Sequence, residues 1–99
     1  MRVISRKALR EFSARHRAAK GPLDDWFNEV TRADWASHHD VKAQYTNASI
    51  VSDCVVFNVG GNKYRLVTWI SYKAHLVLVK GVFTHREYDR ATIDGRRSP

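Results

Sequence analysis

The chain has 99 residues, room for one domain with a modest core and too little for two. Its 17 Lys and Arg against 10 Asp and Glu give a net charge of +7 and a pI near 10.0, which points to a polyanionic partner, either nucleic acid or an acidic protein. Cys54 is the single cysteine, so an intrachain disulfide and a cysteine-based zinc site are excluded. No apolar stretch approaches the roughly 18 residues of a membrane span, and no signal-peptide pattern follows Met1, so a cytoplasmic protein without a membrane partner is expected.

The charge is unevenly placed. Residues 1–20 carry seven cations and one acid, a net of +6; residues 21–53 carry two cations and six acids, −4; residues 54–99 carry eight cations and three acids, +5. Met1–Ile4 suits a short edge strand. Ser5 is placed to cap a helix from Arg6 to about Ala19. At 100° per residue, Ala8, Leu9, Phe12, His16 and Ala19 share one sector of about 100°, while Arg6, Arg10 and Arg17 cluster on the opposite side. The first stripe suits a core, the second solvent or a partner. Gly21-Pro22 is expected to end this helix and start another, with Pro22 at its first position and Asp24 and Asp25 in its first turn. Leu23, Trp26, Phe27 and Val30 recur at i, i+3, i+4 and i+7, a core-facing pattern.

Ser37–Tyr45 suits a short helix with Val41 and Tyr45 as its apolar positions. His38-His39-Asp40 does not make a metal site, because adjacent histidines diverge on a helix and no further ligand stands at a recognised spacing. From Ala48 the chain turns to β. Strands are expected over Cys54–Val59, Lys63–Tyr72 and about His75–Phe83, joined by short connections into an antiparallel meander. Gly60-Gly61 suits a two-residue hairpin turn. Past it, Lys63 and Arg65 fall on one strand face, roughly 6.6 Å apart. With the second hairpin turning near Lys73, facing residues sum to about 145 or 146, which sets Arg65 beside Lys80 and Lys63 near Val82. Three cations would then converge on one patch. Immediately after it comes THREYD, Thr84 to Asp89, where His85 neighbours Tyr88 at i+3 and Asp89 at i+4 in a helical turn. The polar stretch 94–99 (DGRRSP) reads as a frayed tail behind a domain over residues 1–93.

FNVGGNKYRLV, THREYD and the opening MRVISRKALREF together resemble the toxins of HigB type, RelE-related ribonucleases of bacterial toxin–antitoxin pairs, over about residues 1–93. The resemblance implies an α+β fold with N-terminal helices packed on a small antiparallel sheet. It also implies cleavage of messenger RNA, on the ribosome in RelE relatives, and neutralisation by a bound antitoxin, HigA-like with a helix-turn-helix. One departure stands out. Where the family usually reads (R/K)-(F/W)-(V/I)-G-T-H, this chain reads Lys80-Gly81-Val82-Phe83-Thr84-His85. Glycine and aromatic have exchanged places. Positions 81 and 83 share a strand face, so the aromatic stays on that face one pair along, and no glycine precedes Thr84 to bend the chain.

Without a metal or other cofactor, RNA cleavage most simply uses the neighbouring 2′-hydroxyl as nucleophile, which needs proton transfer and cations for the charge growing on phosphate. His85 can serve as acid or base near neutral pH. Tyr88 can orient a hydroxyl or stack on a base. Lys63, Arg65 and Lys80 suit the phosphate, with arginine the better bidentate clamp. Arg6, Arg10 and Arg17 are candidates for RNA, ribosome or antitoxin. The plainer alternatives are that His85 only packs at a turn, that Tyr88 only anchors the C-terminal turn, and that the chain is a non-catalytic basic module holding RNA or the ribosome.

Overall fold

The computed structural model describes residues 1–93; the stretch 94–99, expected as a polar tail, lies outside the described residues. In order, the chain forms β1 (Arg2–Ile4), α1 (Arg6–Arg15), a 3₁₀ turn (Arg17–Ala19), α2 (Lys20–Arg32), α3 (His38–Gln44), β2 (Ser49–Val51), β3 (Cys54–Val59), β4 (Tyr64–Ser71), β5 (Leu76–Thr84) and α4 (His85–Ile93). This is the expected α+β class. The five strands lie in the order β1-β5-β4-β3-β2. β2 to β5 run as an antiparallel meander, but β1 pairs parallel to β5, so the sheet is mixed rather than wholly antiparallel. The added strand β2 returns on β3 through Ser52-Asp53, with Val51 opposite Cys54.

The first helix stops earlier than its periodicity suggests. Ser5 sits at its start in the left-handed region (φ 75°) and makes no side-chain cap. α1 ends at Arg15, and His16 stacks on Phe12 with ring centroids 4.3 Å apart, 6.3 Å from the Tyr64 ring. The break therefore falls at His16. α2 begins at Lys20, so Pro22 lies inside its first turn and Asp24 just beyond it. Proline costs nothing there, since the first four helical N–H groups lack intrahelical partners.

Helices α1 to α3 cover one face of the sheet. Leu9, Phe12, Leu23, Trp26, Val30 and Val41 pack there against Phe57, Leu66, Ile70, Val77 and Val79. Trp26 is 2% exposed and meets Phe57 edge-on at 5.4 Å; truncating such a ring costs about 3–5 kcal/mol. Phe27 is only partly buried against this core, at the margin rather than the centre of the stripe. The outer face carries a smaller cluster of Cys54, Val56 and Val67, flanked by Val51, Phe83 and Tyr88. Among the described residues no helix is long and apolar enough to cross a membrane.

Candidate active site

The Gly60-Gly61 hairpin is longer than a two-residue turn. Val59 pairs with Tyr64, leaving Gly60, Gly61, Asn62 and Lys63 as a four-residue loop, closed by the Lys63 N–H donating to the Gly60 carbonyl at 3.3 Å. Gly60, Gly61 and Asn62 take φ of 65°, 62° and 75°, a run of left-handed residues that glycine and asparagine tolerate. Gly60 is fixed twice over, because a Cβ there would stand 2.8 Å from the Tyr64 ring. Lys63 is consequently an exposed loop residue, not the first residue of the strand.

Arg65 follows on β4 and is buried, 9% exposed. Its Nη1 donates to the Asn62 carbonyl at 3.0 Å and reaches the Tyr64 carbonyl at 3.4 Å. The guanidinium thus braces the glycine loop from beneath. No carboxylate among the described residues stands within ion-pair distance of it, so a largely desolvated cation has no counterion among them.

The expected pairing of Arg65 with Lys80 does not form. The β4–β5 register pairs Ser71 with Leu76 and Thr68 with Val79, then shifts at a bulge so that Val67 faces Gly81 and Arg65 faces Phe83. The turn falls at Tyr72–His75, around Lys73 as expected, and Lys80 is the extra residue in the bulge. Lys63, in the loop, does not face Val82, whose partner is Leu66. Lys80 sits three residues, or about 10 Å of strand, from Phe83. Its charge instead bears on Cys54. Burial pushes the Cys54 thiol up, Asp53 adds to this, and Lys80 opposes it.

Phe83 resolves the exchanged glycine and aromatic. A Cβ built on Gly81 would stand 2.9 Å from the Phe83 ring, so the ring folds back over position 81 on the outer face. The turn into α4 is made without a glycine. Thr84 caps the helix: its N–H donates to Glu87 Oε1 at 2.8 Å, while the Glu87 N–H donates to Thr84 Oγ1 at 3.1 Å. This reciprocal capping box is written in the sequence as T-x-x-E and sharpens the start of α4.

His85 is then the first helical residue. Its backbone N–H donates to the Lys63 carbonyl at 2.9 Å, tying the helix to the glycine loop. Its imidazole Nδ1 lies 2.7 Å from Asp89 Oδ2, one turn on, with both side chains about half exposed. Asp89 thereby engages the Nδ1 side of the ring and fixes its orientation. Tyr88, half-buried, packs on the Cys54, Val56 and Val67 cluster and holds α4 to the sheet. The structure therefore gathers Lys63, Arg65 and His85 about one loop and places Tyr88 beneath the same helix. Lys80 stands apart along β5. Arg6, Arg10 and Arg17 line a groove between α1 and α2. Among the described residues, no three His, Cys, Asp or Glu side chains converge as metal ligands; His38 instead meets the Tyr72 ring edge-on at 5.3 Å.

The chain as a whole is similar to known proteins. Residues 19–91 match the profile of the HigB toxins, described as the RelE-like toxic component of a toxin-antitoxin system. The chain is similar to an mRNA interferase toxin HigB of Escherichia coli strain K12, 28% identical over 92 residues that cover 90% of this chain and 88% of the relative. An mRNA interferase HigB of Shigella flexneri aligns with the same identity and coverage. A further mRNA interferase HigB, from Escherichia coli O6:H1, is 22% identical over 95 residues, 93% of this chain and 92% of the relative.

Proposed function

The chain belongs to the HigB family of RelE-like toxins, and on that premise we propose that it is an endoribonuclease that cleaves messenger RNA in the bacterial cytoplasm. Cleavage takes place on the translating ribosome, and an antitoxin of HigA type holds the activity in check. In the reaction the 2′-oxygen attacks the adjacent phosphorus and the bond to the 5′-oxygen breaks. The 2′-hydroxyl proton leaves to a base and the departing 5′-oxygen takes one up, leaving a cyclic phosphate and a free 5′-hydroxyl. His85, oriented by Asp89, is the proton-transfer group. Arg65 and Lys63 take up the charge that grows on the phosphate oxygens, and Lys80 holds RNA further along the outer face.

The observation that carries this reading is the buried Arg65 guanidinium, without a carboxylate partner among the described residues, bonded to the same loop that the His85 N–H grips. A desolvated cation costs free energy unless an anion joins it, and a phosphate entering at the loop is such an anion. Mapping of RNA 5′ ends in cells expressing the chain alone tests the proposal. Cuts within translated messages, with translation arrested, are expected. Intact messages with normal translation would refute the enzyme and leave a non-catalytic RNA-binding module.

A further inference from the structure

Arg6, Arg10 and Arg17 rim a groove of about 770 Å³ between α1 and α2, on the helical side of the molecule. Its lining is not only charged. Leu9, Ala14 and Phe27 contribute apolar surface, and the Arg6 guanidinium lies 4.2 Å over the Phe27 ring, held there by the ring's negative face. Lys20 and Asp24, at the groove's end, neutralise each other at 2.7 Å. None of the three arginines has a carboxylate within ion-pair distance among the described residues. The groove thus joins an apolar floor to a guanidinium rim that lacks counterions.

That combination selects among polyanions. An RNA backbone would satisfy the rim and leave the apolar floor without a partner. An amphipathic helix with an apolar stripe and an acidic flank satisfies both parts. The spacing agrees. α1 spans ten residues, about 15 Å; Arg6 and Arg10 present cations one helical turn apart on it, and Arg17 follows in the 3₁₀ turn beyond the break at His16. We propose that this groove is where the antitoxin docks, through a helix of about three turns whose carboxylates meet these arginines and whose apolar stripe covers Phe27 and Leu9. The inference rests on the toxin reading and supplies the surface and chemistry of the partner which that reading requires. Since α1 and α2 cover the sheet face opposite Arg65 and Phe83, the docked helix leaves the outer face open.

The test is a calorimetric titration of the purified cognate antitoxin into the wild-type chain and its variants. Arg6→Ala/Arg10→Ala/Arg17→Ala is expected to weaken binding about 10²-fold or more. Arg6→Lys/Arg10→Lys/Arg17→Lys is expected to recover at least about tenfold of that loss, because charge is kept. Phe27→Ala should weaken binding about tenfold even at high salt, where ion pairs are screened. His85→Gln should bind as wild type does. All three arginines are exposed, Phe27 is only partly buried, and thermal melting checks that each variant is folded. A 20-nucleotide oligouridylate serves as the competing probe, with an expected change within about threefold in the triple alanine variant. Unchanged antitoxin binding, or a loss confined to the oligonucleotide, would overturn the proposal; the second result would make the groove an RNA surface. Titration reads binding alone, so docking here by a chain that failed to cut RNA would still support the groove and unseat only the nuclease.

Discussion

Replacing Arg65 by methionine separates the two things a buried guanidinium does. The side chain is 9% exposed and donates one good hydrogen bond, 3.0 Å to the Asn62 carbonyl, with a second contact at 3.4 Å beyond the usual N–H···O range. Losing the first bond, from a charged donor, costs about 1.5–3 kcal/mol. Against this, exchanging buried charged groups for apolar ones of similar volume is often neutral or stabilising by about 1–4 kcal/mol, and here no carboxylate is left unpaired. The two effects offset each other. Arg65→Met should melt within about 10 °C of the wild type, at roughly 4–8 °C per kcal/mol for a domain of this size. Cleavage should behave differently. Removing one donor that stabilises developing charge typically costs about 10²–10³-fold, so single-turnover cutting of message on saturating programmed ribosomes should fall by that factor. Arg65→Lys, which keeps the charge without the fork, should lie between the two. Destabilisation beyond about 15 °C with an unchanged rate in the folded fraction would refute the reasoning, and Arg65 would then be only a brace for the glycine loop.

His85→Gln should lower single-turnover cleavage by about 10²–10⁴-fold while leaving melting unchanged, and Asp89→Asn should lower it less, because orientation alone is lost; equal rates in wild type and His85→Gln would remove His85 from the reaction. Glu87→Ala breaks half of the reciprocal cap and should cost α4 about 1 kcal/mol, seen as faster amide exchange confined to residues 86–91 with little change in global melting. Alkaline pH should destabilise the fold: burial raises the Cys54 thiol and the Tyr72 phenol, burial and Glu29 raise the Tyr45 phenol, and Asp24 raises Lys20. For each of these the unfolded chain gives up its proton first, so the stabilisation is complete below the ordinary values and is lost as pH rises through and beyond about pH 9–10. Urea midpoints at pH 7.5, 9 and 10.5 check this, and Tyr45→Phe should flatten the decline.

Much of the scaffold can be read directly from residue patterns. β3 is a β-branched and aromatic run between Asp53 and Gly60, and it occupies those bounds. The i, i+3, i+4, i+7 stripe of α2 faces the core because nothing competes with its period. The break at His16 carries no such mark, since no glycine or proline stands there. There His16 stacks on Phe12, its neighbour one turn back, and lies beside Tyr64, a partner that only the tertiary fold supplies. The bulge at Lys80 is equally silent, hinted at only by the adjacent Gly81, and a one-residue insertion is enough to part Lys80 from Arg65. The burial of Arg65 also runs against expectation for a charged strand residue. The loop carbonyls that receive it exist because three successive residues adopt positive φ, a property of the folded turn. THREYD, by contrast, carries its own instructions, and the His85–Asp89 pair follows from helical spacing once Thr84 is seen as a cap.

The two borders of the sheet have a consequence for how other chains can approach. β1 and β2 are each three residues long, and each exposes one isoleucine, Ile4 at 36% and Ile50 at 38%. A border so short offers only a few free N–H and C=O groups, too few to template an incoming strand or to seed edge-to-edge aggregation. Strand addition, one of the common ways in which a small sheet protein captures a peptide, therefore gains little on β1 or β2, and the longer unpaired stretch of border is β5 beyond Leu78, past the end of β1. A stretched, unfolded segment would find its longest run of free backbone groups there, where the bulge at Lys80 interrupts a regular ladder.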